Sequence, residues 1–478
     1  MKLRDLMNGI KTDSFADMDM SISGISYDSR ATKPGDLFVA VRGFESDGHR
    51  YIPMAVENGA ACVLCEEPPE ADVPYILTDN TRRALSLASI NFFGRPADGM
   101  KIIGVTGTNG KTTTTTLIKK IIEHTTGEKV GLIGTIGNEI GDKFSEADRT
   151  TPESYEVQNL FREMADAGCK YVVMEVSSHA LFLDRVYGVT FEVGVFTNLT
   201  QDHLDFHKTM EAYGRAKAIL FTQCRRGVVN IDDNSAKIVT DAALCPIFTY
   251  SAEKDEADLC AKEINLRPDG VTFSALAIGE LKKIRMPIPG LFSVYNALAA
   301  ASACMQLGIG LDNIAEALSE KAGVKGRAEV VPTGRDFTVL IDYSHTPDAL
   351  ENILKTVKGF AEGRTVVLFG CGGDRDKTKR PIMGKIAVEL ADFAIITSDN
   401  PRTEQPGAII DDILEGVTGT KTPYTVIENR REAIGWAIKN AMPGDVIILA
   451  GKGHETYQII GKEKYHFDER EVVAEFLA

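Results

Sequence analysis

The sequence contains no run of 18 or more uninterrupted apolar residues, so no segment reads as a membrane-spanning helix. The longest candidate, residues 294–309, carries Asn296, Ser302 and Gln306 and is rich in alanine, so it is expected to be a buried helix. The first residues, MKLRDLMNGIKTDSF, lack the apolar core and small-residue cleavage site of a signal peptide. Cysteine is sparse, with eight in 478 residues, too few for a disulfide framework. A reducing, cytoplasmic location is expected. Cys62 and Cys65 form one C-x-x-C inside the apolar AACVLCEE, with no second pair, and read as thiols in or beside a buried strand. Positive charge is also short: 53 Lys+Arg face 68 Asp+Glu, a net charge of −15, which argues against nucleic acid as a partner. No short-period repeat or low-complexity tract appears, although residues 112–116 are five threonines. What remains, 44% apolar and 25% charged residues, is an ordinary globular composition, and the length suggests about three domains.

Three textures follow one another. Residues 1–98 hold short strand-like runs (GDLFVAV, ACVLCEE, YILTD), a helical pattern at 54–59 and a helix at 80–93, closed by a breaker at Gly94–Pro96. From Lys101 onward, strand-like runs (KIIGVTG, KVGLIG, YVVMEVS, VGVFTN, GVVNID) alternate with amphipathic stretches such as 155–167 and 210–221. That alternation predicts a largely parallel sheet with helices on its faces. A more polar stretch, 252–289, is expected to add strands or loops. A second linker is expected at 323–327. The alternation then resumes with FTVLIDYSH, RTVVLFGCGG, DFAIITSDNP and DVIILAGKG. Nearly every unusual polar cluster directly follows an apolar run, the place where ligands gather in open parallel sheets.

The strongest signal is Gly107-Thr108-Asn109-Gly110-Lys111-Thr112, between a strand and a helix. Glycines let the backbone N–H groups turn toward phosphates, and the helix N-terminus adds its dipole. Lys111 would reach the β- and γ-phosphates and the Thr112 hydroxyl would bind Mg²⁺. The usual first glycine is Val105 here, so this is a variant loop. Glu175, at the end of a strand, suits a second anchor for a nucleotide-bound Mg²⁺. Asp202, His203, Asp205 and His207 are read as metal ligands or, without context, a solvated loop.

With those residues in view, the sequence closely resembles the Mur ligase family, ATP-dependent amide ligases of the peptidoglycan stem peptide. The resemblance runs through YDSRATKPGDLFVAVRG, GVTGTNGKTTT, RTTPES, EVSSHAL, NLTQDHLDFH, AYGRAKAILF, VYNALAA, GRAE, DYSHTPDAL, GCGGDRDKTKRPIMG, SDNPR and GKGHE. It implies an α/β chain of three domains: an N-terminal α/β UDP-binding domain (1–98), a central P-loop domain with a parallel sheet (99–328), and a C-terminal Rossmann-like domain for the amino acid (329–478). It most resembles the branch that extends UDP-N-acetylmuramoyl-L-alanyl-D-glutamate. There ATP phosphorylates the D-glutamate γ-carboxylate, and an amine attacks the acyl phosphate. The resemblance makes Lys111, Lys217 and His203 catalytic. Lys217 is expected as a CO₂-derived carbamate that binds a second Mg²⁺ with His203, although by itself it reads as an exposed helix lysine. Thr113, Asn296, Arg327 and Asp342 join the loop residues around ATP. Tyr27, Ser29, Thr150, Thr151, Ser177 and Arg185 match contacts to the UDP-sugar dipeptide.

The amino acid is expected to be meso-diaminopimelate, through Arg380, Asp399, Asn400, Pro401, Arg402, Gly451 and Glu455. Its distal carboxylate suits a bidentate clamp by Arg402, and its distal ammonium suits Glu455. Alternatives are the same ligation with L-lysine or another diamino acid or, in another class, a P-loop switch or motor ATPase. Folylpolyglutamate synthetases share the loop and the lysine but not the Ser29 segment or SDNPR. Leu183 stands where the family usually has Gln, and Ser344 where Ala is more usual. The partners are small molecules only, with no nucleic acid and no membrane insertion, and a monomer is expected.

Overall fold

Residues 101–106 read KIIGVT, apolar on both faces, which suits a strand covered by helices on both sides. The computed structural model describes residues 1–43, 46–141, 143–147, 149–267, 270–277, 279–320 and 324–478. In it the strand Lys101–Thr106 lies within an 11-stranded sheet. It pairs in parallel with Tyr171–Glu175 on one side and Val193–Phe196 on the other. Val130–Ile133 follows on the first side, and Gly227–Asn230 and Ile247–Ser251 on the second, all parallel. Later strands are thus added on both sides of the first, and the loop at its carboxyl end opens at the crevice this order creates. The polar stretch 252–289 extends the sheet with Leu259–Arg267, Gly270–Ala277 and Glu280–Met286. The opposite edge carries a short hairpin, Asn138–Ile140 with Lys143–Ser145, too short and polar for its sequence to announce.

The alanine-rich segment forms the buried helix Leu291–Gln306, packed against the helix Lys111–Thr126. Its small side chains let the two helices approach closely and bring Asn296 to the phosphate loop. The expected helix at 210–221 is α-helical only over Met210–Ala218 and tightens into a 3₁₀ turn at Ile219–Thr222. Gly323 of the expected second linker lies outside the described residues.

The N-terminal segment folds around a five-stranded sheet in the order Asp13–Phe15, Tyr75–Leu77, Cys62–Cys65, Leu37–Val39, Ile25–Ser26. The helix Thr81–Phe92 packs over it, with Asn80 as its cap accepting from the Arg83 N–H at 3.0 Å. Cys62 and Cys65 are fully buried in the central strand, and burial pushes their thiols up to about 12 and about 11. Neither should react with iodoacetamide at neutral pH until the chain is unfolded, because the thiolate is the reacting form. Mass-spectrometric detection of alkylated Cys62 in the native protein would contradict this packing.

The third segment has a six-stranded sheet: Glu329–Val331, Thr338–Asp342, Val446–Ala450, Thr365–Phe369, Phe393–Ile396, Tyr424–Val426. The last five are parallel, and the first is an antiparallel edge. The motifs DYSH, GCGG, SDNPR and GKGHE all leave the carboxyl ends of these strands. A hairpin, Tyr457–Ile460 with Glu463–His466, follows GKGHE and was not legible as strands.

Candidate active site

The phosphate loop is built on two glycines that no other residue could replace without displacement. Gly107 has φ +149, and a Cβ there would lie 1.8 Å from Thr197 Oγ1; at Gly110, with φ +84, it would lie 2.3 Å from Asn296 Oδ1. Thr108 and Asn109 are pinned to the next strand's loop. The Thr108 N–H donates to the Asn198 carbonyl at 2.9 Å and the Asn109 N–H to Asn198 Oδ1 at 2.9 Å. Lys111 is half-buried, with Nζ donating to the carbonyls of Gly107 at 3.0 Å and Thr108 at 2.9 Å. Burial lowers the affinity of this amine for its proton, while Glu175 and Asp202 oppose that shift. Thr112 and Thr113 are buried in the first turn of the helix.

Glu175 is buried at the end of its strand. Its carboxylate accepts from the Thr135 N–H at 2.9 Å and from Thr135 Oγ1 at 3.0 Å. Thr150 Oγ1 lies 3.0 Å from Thr135 Oγ1. Thr151 donates to the Glu175 carbonyl at 2.8 Å and accepts from the Ser177 N–H at 3.0 Å. Ser177 caps the helix Ser178–Phe182, its Oγ accepting from the Ala180 N–H at 3.2 Å. The expected substrate residues therefore form one hydrogen-bonded seam with the acidic strand end. A carboxylate has acceptor capacity beyond two such bonds. With the Thr112 hydroxyl, it supplies the oxygen donors that suit Mg²⁺, which takes few protein ligands and completes its shell with water and phosphate. Consistently, among the described residues no group of three or more His, Cys, Asp or Glu is placed to cage a metal.

Lys217 is the largest surprise for a residue-by-residue reading. It is 1% exposed rather than on a helix surface. Its Nζ donates to the Gly107 carbonyl at 2.7 Å and lies 4.3 Å from the centroid of the Tyr213 ring. Burial, and then the nearby Lys111 cation, hold this amine well below the ordinary range of lysine. His203 has φ +53 and a half-exposed ring whose Nε2 is 3.4 Å from Asp202 Oδ2. Desolvation lowers its proton affinity, Asp202 opposes that shift and the Lys111 charge reinforces it. His207 is no solvated loop residue: it is buried, hydrogen-bonded to Ser178 Oγ at 2.9 Å, and held down to about 4 by burial.

Two bridges join the central and third segments at this point. Arg327 donates from Nη2 to Thr112 Oγ1 at 2.9 Å and stacks over the Tyr343 ring at 4.8 Å. Asn109 Nδ2 donates to Asp348 Oδ2 at 2.6 Å, and Thr200 Oγ1 donates to the same oxygen at 3.1 Å. Asp342 accepts from the Ala328 N–H at 2.7 Å, and the Ser344 hydroxyl is bonded to its carboxylate. The unusual serine thus serves Asp342. Asp348 was not singled out from the sequence, although it lies within DYSHTPDAL.

Across the cleft, Arg402 sits at φ +51 with its N–H on the Ile459 carbonyl at 3.1 Å and Nη1 on the Gly373 carbonyl at 2.9 Å. A Cβ on Gly372 would lie 2.9 Å from that same Nη1, so the glycine loop makes room for the guanidinium. A neighbouring cation is Arg375, exposed at the cleft, whose proton affinity is lowered by partial desolvation and by Arg402. Asp399 is buried, and its side chain occupies the space a Cβ on Gly451 would need, 2.6 Å away. Pro401 directs its carbonyl onto Gly373, where a Cβ would fall 1.9 Å from it. Asn400 Nδ2 donates to Glu455 Oε2 at 2.9 Å. Arg380 is placed differently from the expectation of direct ligand contact. It is fully buried and committed to Glu404, at 3.0 and 2.8 Å, and to Asp412 at 2.7 Å, under the same loop.

The N-terminal segment contributes a cavity of about 500 Å³ lined by Ser29, Arg30, Met54, Arg82 and Arg149, among others. Tyr27 lines it too, but its hydroxyl donates to Glu156 of the central segment at 2.7 Å. Ser29 is buried, its Oγ 3.3 Å from Met54 Sδ. Glu153 collects Arg185 at 2.8 Å, Arg149 at 3.0 Å and Arg82 at 3.6 Å. Arg185 also donates to the Thr151 carbonyl at 3.1 Å, which ties this cationic group to the Glu175 seam. The sequence reading missed Arg82, Arg149 and Glu153; the last two lie inside RTTPES. Leu183 contributes its carbonyl, which accepts from Arg82 at 3.4 Å.

Comparison with known proteins agrees with this geometry. Family models match as the Mur ligase family catalytic domain at 21–92, the Mur ligase middle domain at 105–304, and the Mur ligase glutamate ligase domain at 326–453. A UDP-N-acetylmuramoyl-L-alanyl-D-glutamate–2,6-diaminopimelate ligase of Clostridium botulinum is 48% identical over 100% of this chain and 99% of its own. The enzyme of that name from Caldanaerobacter subterraneus is 49% identical, with the same coverage. A solved structure of a UDP-N-acetylmuramoyl-L-alanyl-D-glutamate–2,6-diaminopimelate ligase matches with TM-score 0.73 and 32% identity, covering 100% of this chain and 98% of that one. A Mycobacterium tuberculosis folylpolyglutamate synthase shares the fold at TM-score 0.64 and 17% identity, over 78% of this chain and 92% of that one. With its phosphate loop, its buried lysine and its three sheets in this order, the chain belongs to the Mur ligase family of ATP-dependent ligases.

Proposed function

We propose that the chain joins meso-2,6-diaminopimelate to the D-glutamate γ-carboxylate of UDP-N-acetylmuramoyl-L-alanyl-D-glutamate, with ATP as the energy source, in peptidoglycan biosynthesis. One observation carries this reading: the Asn109–Asp348 hydrogen bond, and Arg327 set between Thr112 and the Tyr343 ring, join the phosphate loop to the segment that carries Arg402. A phosphorylated carboxylate and an attacking amine could therefore meet in one cleft. Relatives 46–49% identical over essentially the whole chain bear the name of this reaction.

A carboxylate is a poor electrophile until its oxygen becomes part of a better leaving group. Transfer of the ATP γ-phosphoryl makes an acyl phosphate and ADP. The diaminopimelate amine then adds to the acyl carbon, loses a proton, and expels inorganic phosphate. The protein's part is to position the reactants and neutralise charge. Lys111 and the loop N–H groups hold the phosphates, and Arg327, at the junction with the third segment, brings a further cation to the same point. Thr113, Asn296 and Asp342 frame the nucleotide. Thr112 and Glu175 would hold Mg²⁺, and His203 with Lys217 a second ion. When bound, these cations spread the negative charge of the transferring phosphoryl group. Burial favours the neutral form of the Lys217 amine, the form that adds CO₂ to give a carbamate and a proton. That reaction turns a would-be cation beside Lys111 into an anion. Arg402, with Asn400, Asp399, Pro401 and Gly451, would receive the diamino acid, Glu455 its ammonium, and Arg380 would support the loop through Glu404.

The cavity around Ser29 suits the uridine end, and the Thr150–Thr151–Ser177–Arg185 seam the sugar and dipeptide. The domains we assign are 1–98, 99–328 and 329–478. A cytoplasmic monomer acting on small molecules fits this chemistry; no described helix is long and apolar enough to cross a membrane. Replacing Arg327 by alanine removes a charged hydrogen bond from the phosphate site and should raise the KM for ATP roughly ten- to a hundredfold. An unchanged KM in steady-state assays would separate Arg327 from the nucleotide. The function itself is tested by mass spectrometry of the UDP-linked product after incubation with ATP, the UDP-dipeptide and diaminopimelate. Product heavier by one diaminopimelate less one water supports the reading; unaltered UDP-dipeptide with ADP formed would refute it.

A further inference from the structure

Lys452, in GKGHE, has no role in the reading above, yet its environment is unusual. The side chain is fully buried. Its Nζ donates to Glu455 Oε2 at 2.9 Å and to Asn400 Oδ1 at 3.1 Å. Asn400 closes the triangle by donating from Nδ2 to the same Glu455 oxygen at 2.9 Å. Asn400 Oδ1 also accepts from the Ile459 N–H at 2.9 Å, which fixes the amide's orientation. A buried ammonium needs a counter-charge and acceptors, and here both come from residues of the proposed diamino-acid site. Both bonds to the Glu455 carboxylate fall on Oε2. No bond to Oε1 is found among the described residues.

We infer that Lys452 is a positioning residue for the amino-acid substrate: it locks Asn400 and Glu455 into one geometry and leaves a single carboxylate oxygen of Glu455 to receive the substrate's ammonium. The inference rests on the diaminopimelate reading of Asn400, Arg402 and Glu455. Lys452, in the loop after Val446–Ala450, reaches Asn400 in the loop after Phe393–Ile396, so its ammonium also sets the spacing of the two loops that flank the ligand. Without it, Glu455 would be a partly buried carboxylate held by the Asn400 amide alone, and Asn400 Oδ1 would lose one of its two donors. The substrate would then have to order both groups as it binds, which weakens binding of the amino acid without touching ATP.

The test is a double-mutant cycle read by steady-state kinetics with meso-diaminopimelate varied, on Lys452→Met, Glu455→Gln and the double variant. Lys452→Met keeps the length of the stem and removes the charge. It should raise the KM for diaminopimelate by about tenfold or more while the KM for ATP stays within about twofold. Because Lys452 acts on the same Asn400–Glu455 unit, the double variant should lose clearly less than the sum of the two single losses. Additive losses, or an equal rise in the ATP and diaminopimelate KM values, would overturn the proposal. If Lys452→Met does not fold, Lys452→Gln replaces it, keeping one donor; it should show the same selective rise, and an unchanged diaminopimelate KM would overturn the proposal. If Glu455→Gln alone leaves the diaminopimelate KM unchanged, the reading of the site fails first, and that result is distinct from an innocent Lys452.

Discussion

Replacing Lys217 by alanine is expected to lower the rate of ligation by about a thousandfold or more, while the protein still folds and still binds ATP. The magnitude follows from the position of the side chain. It lies under the phosphate loop, 2.7 Å from the Gly107 carbonyl, where the phosphoryl group would be transferred. Removing a preorganised charge from such a water-poor site typically costs two to three orders of magnitude, and here a cation anchor would go with it. The buried amine makes a second, sharper expectation. Its proton affinity is held well below the ordinary range of lysine by burial and by Lys111, which favours the neutral amine that adds CO₂. Wild-type activity should therefore fall in buffers stripped of carbon dioxide and return on adding bicarbonate, whereas residual activity of Lys217→Ala should not respond. A wild-type rate indifferent to carbon dioxide would reject the carbamate, and a Lys217→Ala enzyme of near-normal rate would reject any catalytic part for this residue.

The second large effect is expected at Arg402. The guanidinium has five N–H donors and uses Nη1 on the Gly373 carbonyl, leaving others for a carboxylate. Loss of a partner from a charged, partly buried pair removes a few kcal/mol of binding, so Arg402→Ala should lower kcat/KM for diaminopimelate by roughly a hundred- to a thousandfold. Lysine, which lacks the distal carboxylate, should be a poor substrate for the wild type because the arginine would be left unpaired in the closed site. The variant should lose most of that preference. A change in kcat/KM below about fivefold would place the specificity elsewhere, with Arg375 the nearest cation to examine.

How much of this was legible depended on range. The strands Lys101–Thr106 and Tyr171–Glu175, and the loop that follows the first, could be read because apolar runs and glycine spacing are local signals. Segment 252–289 was placed correctly as an addition to the central sheet, but its three antiparallel strands are polar on one face and gave a weak pattern. Lys217 shows the limit most clearly. Its helix is short and its own neighbours are unremarkable in polarity, so nothing local predicts burial. The residue is buried because Tyr213, one turn earlier in its helix, and the Gly107 loop, 110 residues away in sequence, close over it. Arg380 shows the converse case. The motif suggested a ligand contact, but Glu404 and Asp412, contributed by later segments, claim the guanidinium. His207 likewise reads as part of a solvated acidic loop until Ser178 is known to face it. Pairings of this kind depend on tertiary approach, which no spacing rule encodes.

The most direct measurement is inorganic phosphate released from ATP in the presence of UDP-N-acetylmuramoyl-L-alanyl-D-glutamate. It should be made with meso-diaminopimelate, with L-lysine and with no amino acid, for the wild type and for Arg402→Ala. The account predicts release that requires diaminopimelate in the wild type and collapses in the variant. Sustained release with lysine at a comparable kcat/KM, or release that needs no amino acid at all, would contradict it.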